Sequence, residues 1–371
     1  MKIAVTGAKG LIGWHAAGRI HAASCAARFR GDPSPYDLVQ IDHATFGDAV
    51  RLSASLEGVH AVLHFAGVNR GDECDVERAN PEIAQALVRG CEAAGIVPHI
   101  VYANSTHVAS DTPYGRSKRV SGEILAAFAP NYTDLVLPHI FGECARPNYN
   151  NVTATLIDNL WRGETPNINA DGRVQLLHAG AAAQMAIDAV LKGQTGRVAP
   201  EGRDIMVTDL YAKLQNFHAL YTANIFPDLS DPFDLALFNA YRTGGFPAYY
   251  PRPLKVNADP RGILFESAKG GNAAQTFLST TLPGQKRGDH FHLDLVERFL
   301  VVKGEALIRI RRILTDEVHE FAVSGNCPVA IDMPPLHTHN IENRGEGEVI
   351  TFFWSHHLFD PANPDTYADP V

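Results

Sequence analysis

The chain has little cysteine, and what it has follows no pairing pattern. Only five of its 371 residues are Cys. Cys25, Cys74, Cys91, Cys144 and Cys327 are odd in number and never spaced C-x-x-C, which excludes a disulfide framework and a thiolate zinc site and fits a reducing cytoplasm. Basic charge is not in excess either: 32 Lys and Arg stand against 41 Asp and Glu, a formal net charge of −9. That balance excludes a broad nucleic-acid surface and leaves room only for a local anion pocket. No apolar run approaches the ~20 residues that cross a bilayer. Met1-Lys2-Ile3-Ala4-Val5 runs straight into an apolar strand without a leader pattern. A cytoplasmic protein with neither a nucleic-acid nor a membrane partner is expected. What the chain does have is core: 45% hydrophobic against 20% charged residues, over a length that suits two domains.

The first two thirds alternate β-branched runs with helical stretches. Lys2–Val5, Leu38–Ile41, Ala61–Phe65 and His99–Tyr102 read as strands, and Ile83, Leu87 and Val88 share one helical face. Such alternation predicts a parallel sheet with crossover helices. Thr243 to Pro253 holds three prolines and two glycines, which continue neither a helix nor a central strand, so the domains are expected to divide there, into 1–248 and 249–371. Beyond it come short runs with little helical pattern (Phe277–Thr281, Arg298–Val302, Ala306–Ile310, Val349–Trp354), which predict an all-β jelly roll.

Thr6-Gly7-Ala8-Lys9-Gly10-Leu11-Ile12-Gly13 follows the first strand and opens a helix. Glycines at this spacing let the chain turn sharply, let the backbone approach a pyrophosphate and let the helix lie close to the strand. Asp42, ending the second strand, would accept hydrogen bonds from a ribose 2′-hydroxyl and so favour NAD. His43 beside it, and Arg28 and Arg30 upstream, point to a 2′-phosphate, so the choice between NAD and NADP stays open. Tyr114 and Lys118 form a Y-x-x-x-K whose members lie on one helical face, where an ammonium can lower the phenol's pKa. Ser105, at a strand end, is placed to bond the same substrate oxygen. An exposed helix with an ordinary i,i+4 pair is the plain alternative, but it leaves the coincidence with the glycines and the serine unexplained.

Gly7, Gly10, Gly13, Ser105, Tyr114 and Lys118 together resemble the pattern of the extended short-chain dehydrogenase/reductase family. The resemblance implies a Rossmann-type sheet, catalysis by Ser105, Tyr114 and Lys118, and an NAD(P) cofactor. The cofactor would be held by Thr6, Gly7, Lys9, Gly10, Leu11, Ile12 and Gly13, by Asp42 and His43, by Ala66 and Gly67 of the segment His64 to Arg70, which matches the family's fourth-strand A-G motif, and by Tyr114 and Lys118.

His290 and His292 alternate in a strand and so share a face, and Glu297 can return from the neighbouring strand. With His339 on a later strand they make a borderline-soft donor set for zinc foremost, or for Fe, Mn or Ni. His337, two residues before His339, could compete as a ligand or serve as a pocket acid or base. The spacing resembles the two cupin motifs, except that Leu336 stands where a Gly is usual. Asp259 to Glu266, with Arg261, is similar to the opening of cupin-type nucleotide-sugar epimerases.

A reductase fused to a cupin resembles the bifunctional enzyme family of capsular polysaccharide and O-antigen synthesis in the UDP-N-acetyl-L-fucosamine pathway. Asn69-Arg70, Arg146-Pro147-Asn148-Tyr149-Asn150, His339 to Asn343 and Phe359 to Tyr367 carry this likeness across both halves. It implies C3 epimerisation of a UDP-4-keto-6-deoxy-HexNAc in the cupin, then NAD(P)H-dependent reduction at C4 to a UDP-6-deoxy-L-talosamine-type product. Asn69, Arg70, Arg146, Asn148 and Arg261 are the expected substrate contacts, and the chain is expected to act as a homodimer. Ala179 to Ala183 departs from the family, lacking its usual aspartates. Two rivals are a dinucleotide-binding regulator with a ligand-sensing cupin, and a reductase whose cupin only dimerises; the intact Ser105, Tyr114 and Lys118 speak against the regulator.

Overall fold

The computed structural model describes residues 1–259, 262–265, 267–270 and 274–371. Internal contacts divide the chain into two compact units, Met1–Thr155 with Asp171–Val207, and Leu156–Ala170 with Thr208–Val371.

The first unit runs β1 (Lys2–Thr6), α1 (Leu11–Arg30), β2 (Asp37–Ile41), α2 (His43–Phe46), α3 (Ala49–Leu56), β3 (Ala61–His64), α4 (Glu73–Ala93), β4 (His99–Ser105), α5 (Pro113–Phe128), β5 (Tyr132–Leu137) and β6 (His139–Phe141). It continues through the start of α6 (Val152–Arg162), β7 (Arg173–His178), α7 (Ala179–Leu191), β8 (Gly196–Val198) and β9 (Arg203–Met206). Six strands form an all-parallel sheet in the order β2-β1-β3-β4-β5-β8, as the alternation of strand and helix requires. Ile3, Val5, Leu63, Val101 and Leu135 bury one face of it, and Ala4, Val62, Ile100 and Tyr102 the other. Burial of both faces is why these strands read as unbroken apolar runs. The chain leaves β1 toward β2 on one side and finds β3 on the other, so the strand order reverses at β1, the place where α/β sheets open a crevice for ligands.

The second unit adds α8 (Val207–Thr222) and α9 (Pro232–Gly244) to strands β10 (Arg252–Pro253), β11 (Val256–Asp259), β12 (Gly262–Phe265), β13 (Gln275–Thr281), β14 (Lys286–Phe291), β15 (Glu297–Lys303) and β16 (Glu305–Arg312). The remaining strands are β17 (Val318–Ser324), β18 (Val329–Met333), β19 (His337–Asn343), β20 (Val349–Ser355) and β21 (Tyr367–Ala368). Two antiparallel five-stranded sheets, β10-β18-β15-β20-β13 and β17-β16-β19-β14-β21, enclose Phe299, Ile308, Ile310, Ile331, Ile341 and Phe353. This is the expected jelly-roll layering. The helices belong here because Trp161, at the end of α6, stacks on Tyr241 at 5.1 Å and Tyr249 at 4.5 Å and donates its indole N–H to the Tyr241 carbonyl at 3.0 Å. Contacts thus draw the line earlier in the chain than the proline-rich stretch does. Among the described residues no helix is long and apolar enough to cross a membrane.

Candidate active sites

The glycine loop sits at the switch point. Gly7 has φ +64°, and a Cβ there would stand 2.9 Å from the Ala66 nitrogen, so only glycine lets β1 and the chain after β3 pass this closely. The Thr6 hydroxyl meets His64 Nδ1 at 2.8 Å and accepts the Ala66 N–H at 3.1 Å. Leu11 and Ile12 begin α1, and Lys9 reaches across to Asp42 at 2.8 Å. Asp42 also caps α2 by accepting from the Thr45 N–H and hydroxyl. The bond from Lys9, then those from Thr45, hold its carboxyl well below the usual range. His43 follows on the exposed side of α2.

Ser105 ends β4, and Tyr114 and Lys118 lie on α5. Thr112 caps that helix by accepting the Gly115 N–H at 3.1 Å, with Pro113 in the first turn, which fixes Tyr114 one residue inside it. Burial pushes the Tyr114 phenol above its ordinary value, and the Ser105 hydroxyl pulls it partly back. The lowering expected from Lys118 is not what the geometry shows. Lys118 donates to the Ala103 carbonyl at 2.6 Å and lies 4.1 Å over the Tyr102 ring, and burial drops its ammonium to about 7. The phenol is therefore held as an acid, the form a proton donor needs. Sequence reasoning missed Asn80 on α4, which accepts from Val68 N–H at 2.8 Å and donates to the Val68 carbonyl and the Ser117 hydroxyl. It ties the Ala66-Gly67 segment to the helix carrying Tyr114.

Asn69 and Arg70 come together with Arg146 and Asn148. Arg70 donates to the Asn148 carbonyl, Asn150 donates to the Asn69 carbonyl at 2.7 Å, and both guanidinium groups lie near the Tyr149 ring, at 5.6 and 5.3 Å. The result is an exposed cationic loop pair. Arg261 lies outside the described residues.

In the jelly roll, His290, His292, Glu297 and His339 each offer one donor atom, all within 4.8 Å of one another. His290 pairs with His339 across β14 and β19, beside an irregularity at Gly288, while Glu297 opens β15 in the opposite sheet. Glu297 Oε2 is 3.1 Å from His292 Nε2 and 3.7 Å from His339 Nε2. Burial alone would raise the Glu297 carboxyl; His292 and His339 overcome it and hold the group below its usual range. Burial, then the two other imidazoles, brings His290 down to about 3, leaving a neutral ring. A divalent cation fits this set. His292 Nδ1 bonds the Asp365 carbonyl at 2.7 Å, which turns Nε2 inward as metal-binding imidazoles require. His339 Nε2 is buried with no hydrogen-bond partner among the described residues. Leu336 adopts φ +59°, a strained left-handed backbone that glycine takes up freely, and His339 still sits in the cluster. His337 stands outside the cluster, bonded to the Pro335 carbonyl and edge-on to Phe246. Asp365 is a second residue that sequence reasoning left without a role. Its carboxylate accepts the N–H groups of Leu293, Asp294 and Leu295 at 2.8–2.9 Å and so shapes the turn between His292 and Glu297. His290, His292 and Glu297 of the cluster line a cavity of about 440 Å³ with Phe277, Arg287, Phe353 and Asp360, a size suited to a small-molecule ligand.

The parallel sheet with its glycine loop and tyrosine helix belongs to a dinucleotide-dependent class. Residues 3–201, more than half of the chain, match the NAD dependent epimerase/dehydratase family, and the chain belongs to it. Residues 257–367 match the polysaccharide biosynthesis C-terminal domain. The chain is 29% identical to the UDP-2-acetamido-2,6-beta-L-arabino-hexul-4-ose reductase of Pseudomonas aeruginosa, covering 100% of this chain and 99% of that one. It is also similar to the capsular polysaccharide assembling protein CapF of Staphylococcus aureus, with 27% identity, a TM-score of 0.57 and full coverage of both chains. UDP-glucose 4-epimerase of Thermotoga maritima is similar in fold, with 17% identity and a TM-score of 0.50 over 59% of this chain and 83% of that one.

Proposed function

We propose that the chain is a bifunctional nucleotide-sugar enzyme of capsule or O-antigen synthesis. Residues 249–371 invert C3 of a UDP-4-keto-6-deoxy-HexNAc, and residues 1–248 then reduce its C4 ketone to a UDP-6-deoxy-L-talosamine-type product. One observation carries the reading: the acid phenol beside Ser105 and the four-donor cluster over a ligand-sized cavity are both assembled, each within its own unit. The full-length likeness to a reductase of a UDP-linked hexulose supports the substrate class.

The chemistry follows from the ketone. A C3–H beside it is acidified because the electron pair left behind delocalises onto oxygen, so removal and return of the proton on opposite faces inverts the centre. Leu295, Phe299, Ile341 and Phe353 give the cavity an apolar wall beside the donor cluster. His290, His292, Glu297 and His339 would hold a divalent cation, zinc foremost, which supplies a Lewis acid or braces the two sheets. In the first unit the nicotinamide, NADH or NADPH, supplies hydride. Tyr114 gives its proton to the C4 oxygen, Ser105 bonds that oxygen, and Lys118 is assigned to the cofactor ribose. Arg70, Arg146, Asn69 and Asn148 present cationic and amide groups to the diphosphate and sugar, and Arg261 is proposed as a further substrate contact.

The test is incubation with a UDP-4-keto-6-deoxy-HexNAc and each nicotinamide, with the product identified by NMR. A product inverted at C3 and reduced at C4 is expected. Reduction with C3 retained, or no consumption with either nicotinamide, overturns the reading.

A further inference from the structure

A second group of metal-type donors lies in the first unit, apart from the dehydrogenase residues. His15 is on α1, Glu143 follows β6 by two residues, and His178 ends β7 at the cap of α7. Each offers one donor atom, all within 4.8 Å of one another. Glu143 Oε2 is hydrogen-bonded to His178 Nε2 at 2.8 Å and lies 3.4 Å from His15 Nε2. Around a tetrahedral zinc with bonds of ~2.0–2.1 Å, neighbouring donors stand ~3.3–3.4 Å apart.

Burial makes the grouping costly as it stands. His15 and Glu143 are each 1% exposed. Neither ring nitrogen of His15, nor Glu143 Oε1, has a hydrogen-bond partner among the described residues. Unsatisfied buried polar atoms call for a bound water or ion, and an ionised buried carboxylate calls for a cation. Burial holds His15 neutral despite the nearby Glu143, and His178 and Arg19 push it the same way. The carboxyl is kept ionised chiefly by His178, against the effect of burial. Gly142 leaves the approach open, since a Cβ there would come within 3.3 Å of His15 Nε2 and 3.4 Å of the His178 ring. His178 is the least buried of the three.

We propose that His15, Glu143 and His178 form a second divalent-metal site, of the two-histidine, one-carboxylate kind that takes zinc. It would pin the helix of the glycine loop to the chain that leads from Glu143 into Arg146 and Asn148.

The proposal is tested by metal content of the full-length chain after zinc loading and removal of excess. Two zinc ions per chain are expected, one remaining in His290→Ala and one in Glu143→Gln, with none in the double variant. Glu143→Gln keeps the side-chain size, circular dichroism reports its folding, and the wild-type count needs no variant. A single ion per chain that disappears in His290→Ala overturns the proposal, as does an unchanged count in Glu143→Gln. A single ion kept by His290→Ala and lost in Glu143→Gln supports this site and counts against the cupin cluster instead, so the two assignments fail separately.

Discussion

Gly13→Ala puts a methyl group where the structure has no room. The new Cβ would overlap the Gly7 carbonyl oxygen, and would stand 2.7 Å from the Gly7 carbonyl carbon and 3.0 Å from Ala8 Cα. All three are backbone atoms, so no side chain can swing aside. Gly7 is itself fixed, donating to the Ile41 carbonyl at 3.0 Å and accepting the Gly10 N–H at 2.8 Å. The start of α1 must therefore move, by on the order of 1 Å. Overpacking of this kind costs about 1–3 kcal/mol, offset by about 1 kcal/mol of helix propensity when Gly becomes Ala. The net loss of stability should be about 0–2 kcal/mol. Dinucleotide affinity should fall as well, because the N–H groups that would face a pyrophosphate move with the helix and each hydrogen bond lost to a charged group costs about 1.5–3 kcal/mol, roughly 10- to 100-fold. Fluorescence titration with NADH and NADPH, beside urea denaturation, reads both quantities. Gly95→Ala is the control: it has φ +67° and no atom within 4 Å of a new Cβ, so it should lose about 1–3 kcal/mol by backbone strain with unchanged affinity. Affinity of Gly13→Ala within twofold of wild type for both nicotinamides would refute the argument.

Asp332→Asn should destabilise the jelly roll by about 3–5 kcal/mol in urea denaturation, because it breaks a buried pair from one side. Arg298 grips both Asp332 oxygens at 2.5 and 2.8 Å, and Tyr221 donates to the same carboxylate; a loss under 1 kcal/mol would show the network to be dispensable. Stability should also fall with acid through His64, which burial, aided by Lys118, lowers from 6.5 to about 3. The unfolded chain takes up that proton below pH 6.5 and the folded one only near pH 3, so stability is lost as pH falls across that window, by up to about 5 kcal/mol. His64→Gln should flatten the dependence between pH 6.5 and 4, and an unchanged slope would remove His64 from the account.

What was legible in the sequence was local. The glycines, Tyr114 with Lys118, and His290 with His292 lie within a few residues of each other, so spacing alone placed them on one loop, one helix or one strand. Leu336 is instructive: it stood out as a departure from glycine, and it adopts a positive φ that glycine takes up freely. What was not legible depends on partners distant in the chain. Asp365 shapes the turn before Glu297 from some seventy positions away, and His15 meets Glu143 and His178 only after β6 and β7 have formed. Nor does spacing tell where a long side chain ends: Lys118 shares a helical face with Tyr114 yet gives its ammonium to Ala103. Trp161 likewise carries no motif, though its stacking draws the end of α6 into the second unit.

Solvent-deuterium exchange tests the division of labour between the two units most directly. Tyr114→Phe, incubated in deuterium oxide with the UDP-4-keto sugar and nicotinamide, should take up label at C3 and reduce nothing at C4. Loss of both exchange and reduction in that variant, or reduction by the wild type with no label entering C3, would contradict the account.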